Sequence, residues 1–165
     1  MTFNLLPALC LLAAATVTFP GAGFAQRLYP VLGPAAAQTP PPNFEAKLGS
    51  YLGKSGKITL AQTGGESFQG TWSIVTATFL NEKQPGTPAS YPPQPNLAYA
   101  WDVIYGQGFY VANILGSQRM GEALVHGDKG TVMQIEFEDW KVGMPIDNIF
   151  GVAVDDKGNI YKMVL

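Results

Sequence analysis

Gly127-Asp128-Lys129-Gly130-Thr131-Val132-Met133-Gln134-Ile135-Glu136-Phe137 decides the fold class. Met133, Ile135 and Phe137 alternate with Gln134 and Glu136, the period-two pattern of a strand with one apolar face. The Asp-Lys-Gly ahead of it reads as a hairpin turn, in which Asp bonds nearby backbone and Gly takes the position that needs a positive φ. Asp155-Asp156-Lys157-Gly158-Asn159-Ile160 repeats that turn at an offset of 28 residues. The alignment places Val132 over Ile160 and Ile135 over Met163, so two successive hairpins of similar build are expected.

Working outward, short runs of β-branched and aromatic residues separated by Gly, Asn and Asp continue from Lys57 to the last residues. That texture belongs to an antiparallel sheet. Eight strands are predicted, at about 57–62, 67–79, 97–105, 109–115, 121–126, 131–138, 148–154 and 159–165. An open sheet with so many exposed edges would aggregate, so the expected fold is all-β, a small antiparallel barrel or sandwich. Asn43 is read as the cap of a short helical turn over Phe44 to Leu48.

The residues before this domain form two segments. The first 25 contain no Asp, Glu, Lys or Arg, and 17 of them are apolar. Leu5 to Val17 is an apolar run that gives way to Pro20, Gly21 and the small-residue stretch Ala22-Gly23-Phe24-Ala25, the pattern of a secretory signal peptide cleaved after Ala25. The run is shorter than the roughly 20 apolar residues of a membrane span, so no transmembrane segment is expected after cleavage. Residues 26–43 carry five prolines (Pro30, Pro34, Pro40, Pro41, Pro42) and one charge, Arg27, and read as an extended spacer. The expected organisation is signal peptide 1–25, spacer 26–43 and β domain 44–165. Cys10, the only cysteine, lies in the leader, so a mature exported chain would have to be stabilised by packing rather than by an internal disulfide.

Gly130 to Phe137, with Gly151-Val152-Ala153-Val154-Asp155 and Gly158-Asn159-Ile160-Tyr161, resembles the closing hairpins of a functionally uncharacterised group of small exported proteins and lipoproteins of Gram-negative bacteria. In that group the positions matching Ile135 and Ala153 are often cysteines. The resemblance implies an exported β domain in which Ile135 lies against Ala153, a large–small apolar contact standing where the disulfide would be. It covers the C-terminal third and brings no functional residues with it. A periplasmic or secreted location in the cell envelope is the expectation.

Several chemistries find little support in the residues. From Gln26 onward 60 of 140 residues are apolar and 22 are charged, as in a folded domain rather than a disordered chain. Ten basic against twelve acidic residues, with no basic run, offer no footprint for nucleic acid. His126 is the single histidine, which removes two-histidine metal sites, and without a mature cysteine there is neither a thiolate nucleophile nor structural zinc. Gly49-Ser50-Tyr51-Leu52-Gly53-Lys54-Ser55 imitates a phosphate-binding loop, but its glycines are one residue too close and no strand precedes it. Gly106-Gln107-Gly108 reads as a hairpin turn. No cofactor or metal is expected.

Two constellations and one connector bear on function. Glu136 and Glu138 share one strand face at about 6.5–7 Å, a separation compatible with glycoside hydrolysis, although their alternation with Ile135 and Phe137 makes them the solvated complement of an apolar face. Tyr99, Trp101, Val103 and Tyr105 form an aromatic row in the expected 97–105 strand, which serves either as core or as a platform for sugar rings. Just ahead of that row stands Asn81 to Asn96, with five prolines and two charges, a long connector of the kind that carries function. Tyr91-Pro92-Pro93-Gln94-Pro95 favours a stiff extended conformation with an amphipathic anchor. The leading expectation is a non-enzymatic envelope binding or assembly module, its partner an envelope protein or cell-wall glycan, with Tyr91, Pro92, Pro93, Pro95 and Trp101 as contact residues. The alternative is a small polysaccharide hydrolase using acidic residues.

Overall fold

Residues 26–49, 54–62, 64–75, 96–115, 120–138 and 150–164 are described in a computed structural model of the chain. Eight strands run in chain order around a closed antiparallel barrel. They are β1 (Gln26–Leu32), β2 (Phe44–Leu48), β3 (Ser55–Ala61), β4 (Phe68–Val75), β5 (Met120–Gly127), β6 (Val132–Glu138), β7 (Phe150–Asp155) and β8 (Ile160–Val164). β1 closes the circle by pairing with both β2 and β8. Closure removes the free edges that would otherwise template aggregation.

Large and small side chains alternate from strand to strand over β3 to β8 in the barrel interior, while large residues meet where β1 closes it. One rung runs Gly56, Trp72, Ala123, Ile135, Ala153, Tyr161 across β3 to β8, each residue opposite the next. A neighbouring rung runs Gly121, Phe137, Gly151, Met163, Leu28, Phe44. A Cβ on Gly121 would fall 2.2 Å from the Phe137 ring, so that glycine is the space the ring occupies. Interdigitation of this kind brings an eight-stranded barrel to the packing density of a protein core. The expected Ile135–Ala153 contact is present in register, as one step of this general alternation.

Both predicted hairpin turns are present. Gly130 and Gly158 have φ of 89° and 84°, and each N–H closes its turn on the carbonyl three residues back, Gly127 and Asp155 respectively. A β-branched side chain is strongly disfavoured at such φ. Gly158→Val is therefore expected to lower stability by about 1–2 kcal/mol or more, read as a lowered midpoint in urea, whereas an unchanged midpoint would contradict this turn geometry.

Four expectations need correction. The 97–105 segment is a helix, α1 (Leu97–Tyr105), not a strand. The 109–115 segment contains a π-helical stretch, Tyr110–Ile114. Phe44–Leu48 is a strand whose Phe44, Ala46 and Leu48 point inward, not a helical turn. Gln26–Leu32, assigned to the spacer, is the strand that closes the barrel, so the β domain includes these residues as well as those from 44 onward. Pro30 is accommodated in β1 next to a register shift between Pro30 and Leu32, where the missing N–H breaks no regular ladder. The leader 1–25 and the connector 81–95 lie outside the described residues.

Candidate functional site

In an up-and-down barrel successive connections alternate between the two ends, and here the ends differ. One end carries the connections 33–43, 62–67, 128–131 and 156–159; the other carries 49–54, 76–119 and 139–149.

The first end is laced shut by buried polar groups. Asp155, at the end of β7, accepts Lys157 N–H and Asn159 N–H on Oδ1 and Asn159 Nδ2–H and Tyr161 O–H on Oδ2, at 2.7–3.0 Å. Asn159 Oδ1 in turn accepts Ala35 N–H at 2.7 Å, fixing the β1–β2 connection. Burial, reinforced by the Asp155 carboxylate, pushes the Tyr161 phenol far above its ordinary range.

The β5–β6 turn solves the same problem with a residue from elsewhere. Its equivalent amides, Lys129 N–H and Thr131 N–H, are both accepted at 3.1 Å by Glu66 Oε1, from the β3–β4 connection. Gly127 occupies the place that Asp155 holds in the other turn, and a Cβ there would lie 2.1 Å from Glu66 Oε1. The glycine thus makes room for a carboxylate supplied from outside the turn. Thr131 Oγ1 donates to Glu66 Oε2 and accepts from Lys157 Nζ, which joins the two hairpins. Burial acts to raise the Glu66 pKa, but the hydrogen bonds from Thr131 and Lys129 and the Lys157 charge outweigh it and hold the group below the usual carboxylate range.

The opposite end sends out the longest connection, 76–119, which contains α1 and the π-helical stretch. α1 starts at Asn96, whose side chain accepts Tyr99 N–H at 2.8 Å, and stops at Gly106, at a φ of 112°. Leu97, Ala100, Trp101, Ile104 and Tyr105 all belong to the cluster packed between α1 and the barrel wall, the helical spacing of a one-sided helix. Asp102 Oδ1 accepts Tyr110 N–H at 2.9 Å and ties the π-helical stretch to α1. This unit covers the outer face of β7 and β8 through Phe150, Val152, Val154 and Ile160.

Trp101 is the centre of that contact. It is 0% exposed, stacks on Phe109, lies tilted against Tyr105 and meets Phe150 edge to face. Its Nε1–H donates to Glu136 Oε2 at 2.8 Å. Burial pushes the Tyr105 phenol up to about 12, and Lys162 Nζ lies 5.3 Å from the centre of its ring. The Tyr110 phenol is also raised, first by burial and then by the Glu136 and Glu122 charges.

These positions revise the candidate residues. Glu136, expected on a solvated face, is 5% exposed beneath α1; the alternation that placed it on the outer face was right, but a helix covers that face. Glu138 is half-buried at the end of β6. Trp101, expected among the partner contacts, is core. Tyr91, Pro92, Pro93 and Pro95 lie outside the described residues. His126 is exposed on β5 between Gln69 and Val132. Strand β2 does precede Gly49, contrary to expectation, but the connection 49–54 leads into strand β3 and not into a helix, so the phosphate-loop imitation lacks the strand-to-helix frame. Gly106-Gln107-Gly108 joins α1 to the π-helical stretch rather than two strands. Among the described residues no cluster of three His, Cys, Asp or Glu is placed to hold a metal ion, and no helix is long and apolar enough to cross a membrane.

The lacing by Asp155, Asn159, Tyr161 and Glu66 was not legible in the sequence. Asn159 following the turn glycine and Tyr161 two residues later were its only local signals, and Glu66 lies more than 60 residues from the turn it serves. Comparison with known protein families, curated proteins and solved structures finds no match to this chain.

Proposed function

We propose that this protein is an exported, non-enzymatic binding module of the cell envelope, and that it engages a protein partner through the end of the barrel that carries the connection 76–119. The observation that supports this most is the difference between the ends. One is tied together by the buried hydrogen bonds of Asp155, Asn159 and Glu66, while the other bears 76–119, by far the longest connection, the arrangement in which a β scaffold presents a variable segment. Tyr91, Pro92, Pro93 and Pro95 fall in the sequence of that connection, and a proline-rich sequence of this kind favours an extended conformation that loses little entropy on docking. Export is supported by the uncharged apolar leader.

A protein is favoured over a glycan because Trp101 of the aromatic row considered for stacking on sugars is fully buried and Tyr105 packs against it, which leaves Tyr99 as the one exposed ring of the row. The hydrolase reading is weakened in the same way, since the Glu136 carboxylate holds Trp101 under a helix.

Replacing residues 84–95 by a short Gly-Ser link tests the proposal. Stability should change little, because halving a loop alters its closure entropy by about 0.6 kcal/mol. Capture of envelope proteins by chemical cross-linking in intact cells should fall sharply. Equal capture by the shortened and intact proteins would eliminate this segment as the contact, and retention on purified cell-wall glycan with no protein capture would replace the protein partner by a glycan.

A further inference from the structure

The first residue of β1 is an amide in a place built for an aliphatic side chain. Gln26 is 0% exposed, stands opposite Ala46, and shares the buried alternation of β1 with Leu28, while Arg27 between them is exposed. Among the described residues neither its Oε1 nor its Nε2 has a hydrogen-bond partner. A buried amide with no partner is unfavourable, and glutamine is seldom fully buried.

Glutamine has one property at this position that an aliphatic residue lacks. We propose that removal of the leader after Ala25 frees the Gln26 α-amine to close on its own side chain, so that the mature chain begins with pyroglutamate. This rests on the export reading above. The neutral α-amine nitrogen attacks the side-chain carbonyl carbon Cδ, a C–N bond forms, the bond from Cδ to Nε2 breaks, and the departing nitrogen takes a proton from the amine and leaves as ammonia. The product is a five-membered lactam. Nucleophile and carbonyl belong to one residue, so closure is unimolecular and needs no oxidant, metal or co-reactant.

The ring suits the position in two ways. A free α-amine is largely protonated at neutral pH, and a full charge on the residue whose side chain lies in the apolar interior is unfavourable; the lactam nitrogen is neutral. The two donors of the side-chain NH2, which have no acceptor, depart with the ammonia.

The test is the intact mass and N-terminal sequence of the protein purified from cells expressing the full chain. The expected result is the mass of the chain from Gln26 onward less one ammonia, with sequencing blocked until the unfolded protein is treated with pyroglutamyl aminopeptidase. A full-mass chain with a free amine at Gln26 would overturn this proposal and leave export standing. A chain still carrying Met1 to Ala25 would overturn the export reading and this proposal with it. Gln26→Asn would have to form a strained four-membered lactam, so it should give a readable N-terminus beginning at residue 26. A blocked N-terminus in that variant would point to another blocking group and overturn the assignment.

Discussion

Trp101→Ala is expected to destabilise the protein by about 3–5 kcal/mol, the range for truncating a large buried aromatic, and to detach α1 from the barrel wall. The side chain is fully buried among Tyr105, Phe109 and Phe150, so its removal leaves a cavity bounded on one side by a sheet that cannot collapse to fill it. It also strips a donor from the buried Glu136 carboxylate. The two contributions separate experimentally. Trp101→Phe keeps much of the aromatic volume and loses the Nε1–H, and should cost about 1–3 kcal/mol, the range for removing one partner of a buried polar contact. Urea titration followed by circular dichroism checks both. A midpoint unchanged by Trp101→Ala would mean that α1 does not dock through this residue.

Asp155→Ala should be of similar size, about 3–5 kcal/mol, because hydrogen bonds to a charged group are worth more than neutral ones and three of the four abandoned donors are buried. Four donors lose their acceptor at once: Lys157 N–H, Asn159 N–H, Asn159 Nδ2–H and Tyr161 O–H. Asp155→Asn should rescue little. Each carboxylate oxygen accepts two donors, so either orientation of the amide sets its NH2 against two N–H or O–H groups. Tyr161→Phe removes one donor and keeps the acceptor, and should be milder. A double-mutant cycle between Asp155→Ala and Tyr161→Phe should show a coupling of about 0.5–3 kcal/mol, the range for residues in one network. Additive losses would show that the two side chains do not share the bond described.

Part of the candidate end was legible in the sequence. The length and proline content of Asn81 to Asn96 marked a connector unlike the short turns around it, and the topology assigns the connection containing it to the end opposite the laced one. The aromatic row of Trp101 was legible as a candidate for the core, but the helix that buries it was not, because Leu97 to Tyr105 satisfies two periods at once. Tyr99, Trp101, Val103 and Tyr105 alternate as a strand would, and Leu97, Ala100, Trp101, Ile104 and Tyr105 recur as a helix would. Asn96 was the local clue, since its side chain caps the first turn.

The all-β class and the hairpins around Asp128-Lys129-Gly130 and Asp156-Lys157-Gly158 follow from the order of residues alone. Their information is local: a period of two on each strand and a glycine where the backbone must turn to positive φ. The tertiary structure decided what depends on distant residues. β1 is a strand because β2 and β8 satisfy its backbone from both sides, despite the proline it contains. α1 is a helix because eight strands already close the barrel, and the apolar outer face of β7 and β8 needs a cover rather than another neighbour. Glu136 is buried because that cover arrives from 35 residues earlier in the chain and brings the Trp101 donor with it. Burial of an outward-facing strand residue is set by what packs on the sheet from outside, and a strand's own alternation carries no information about that.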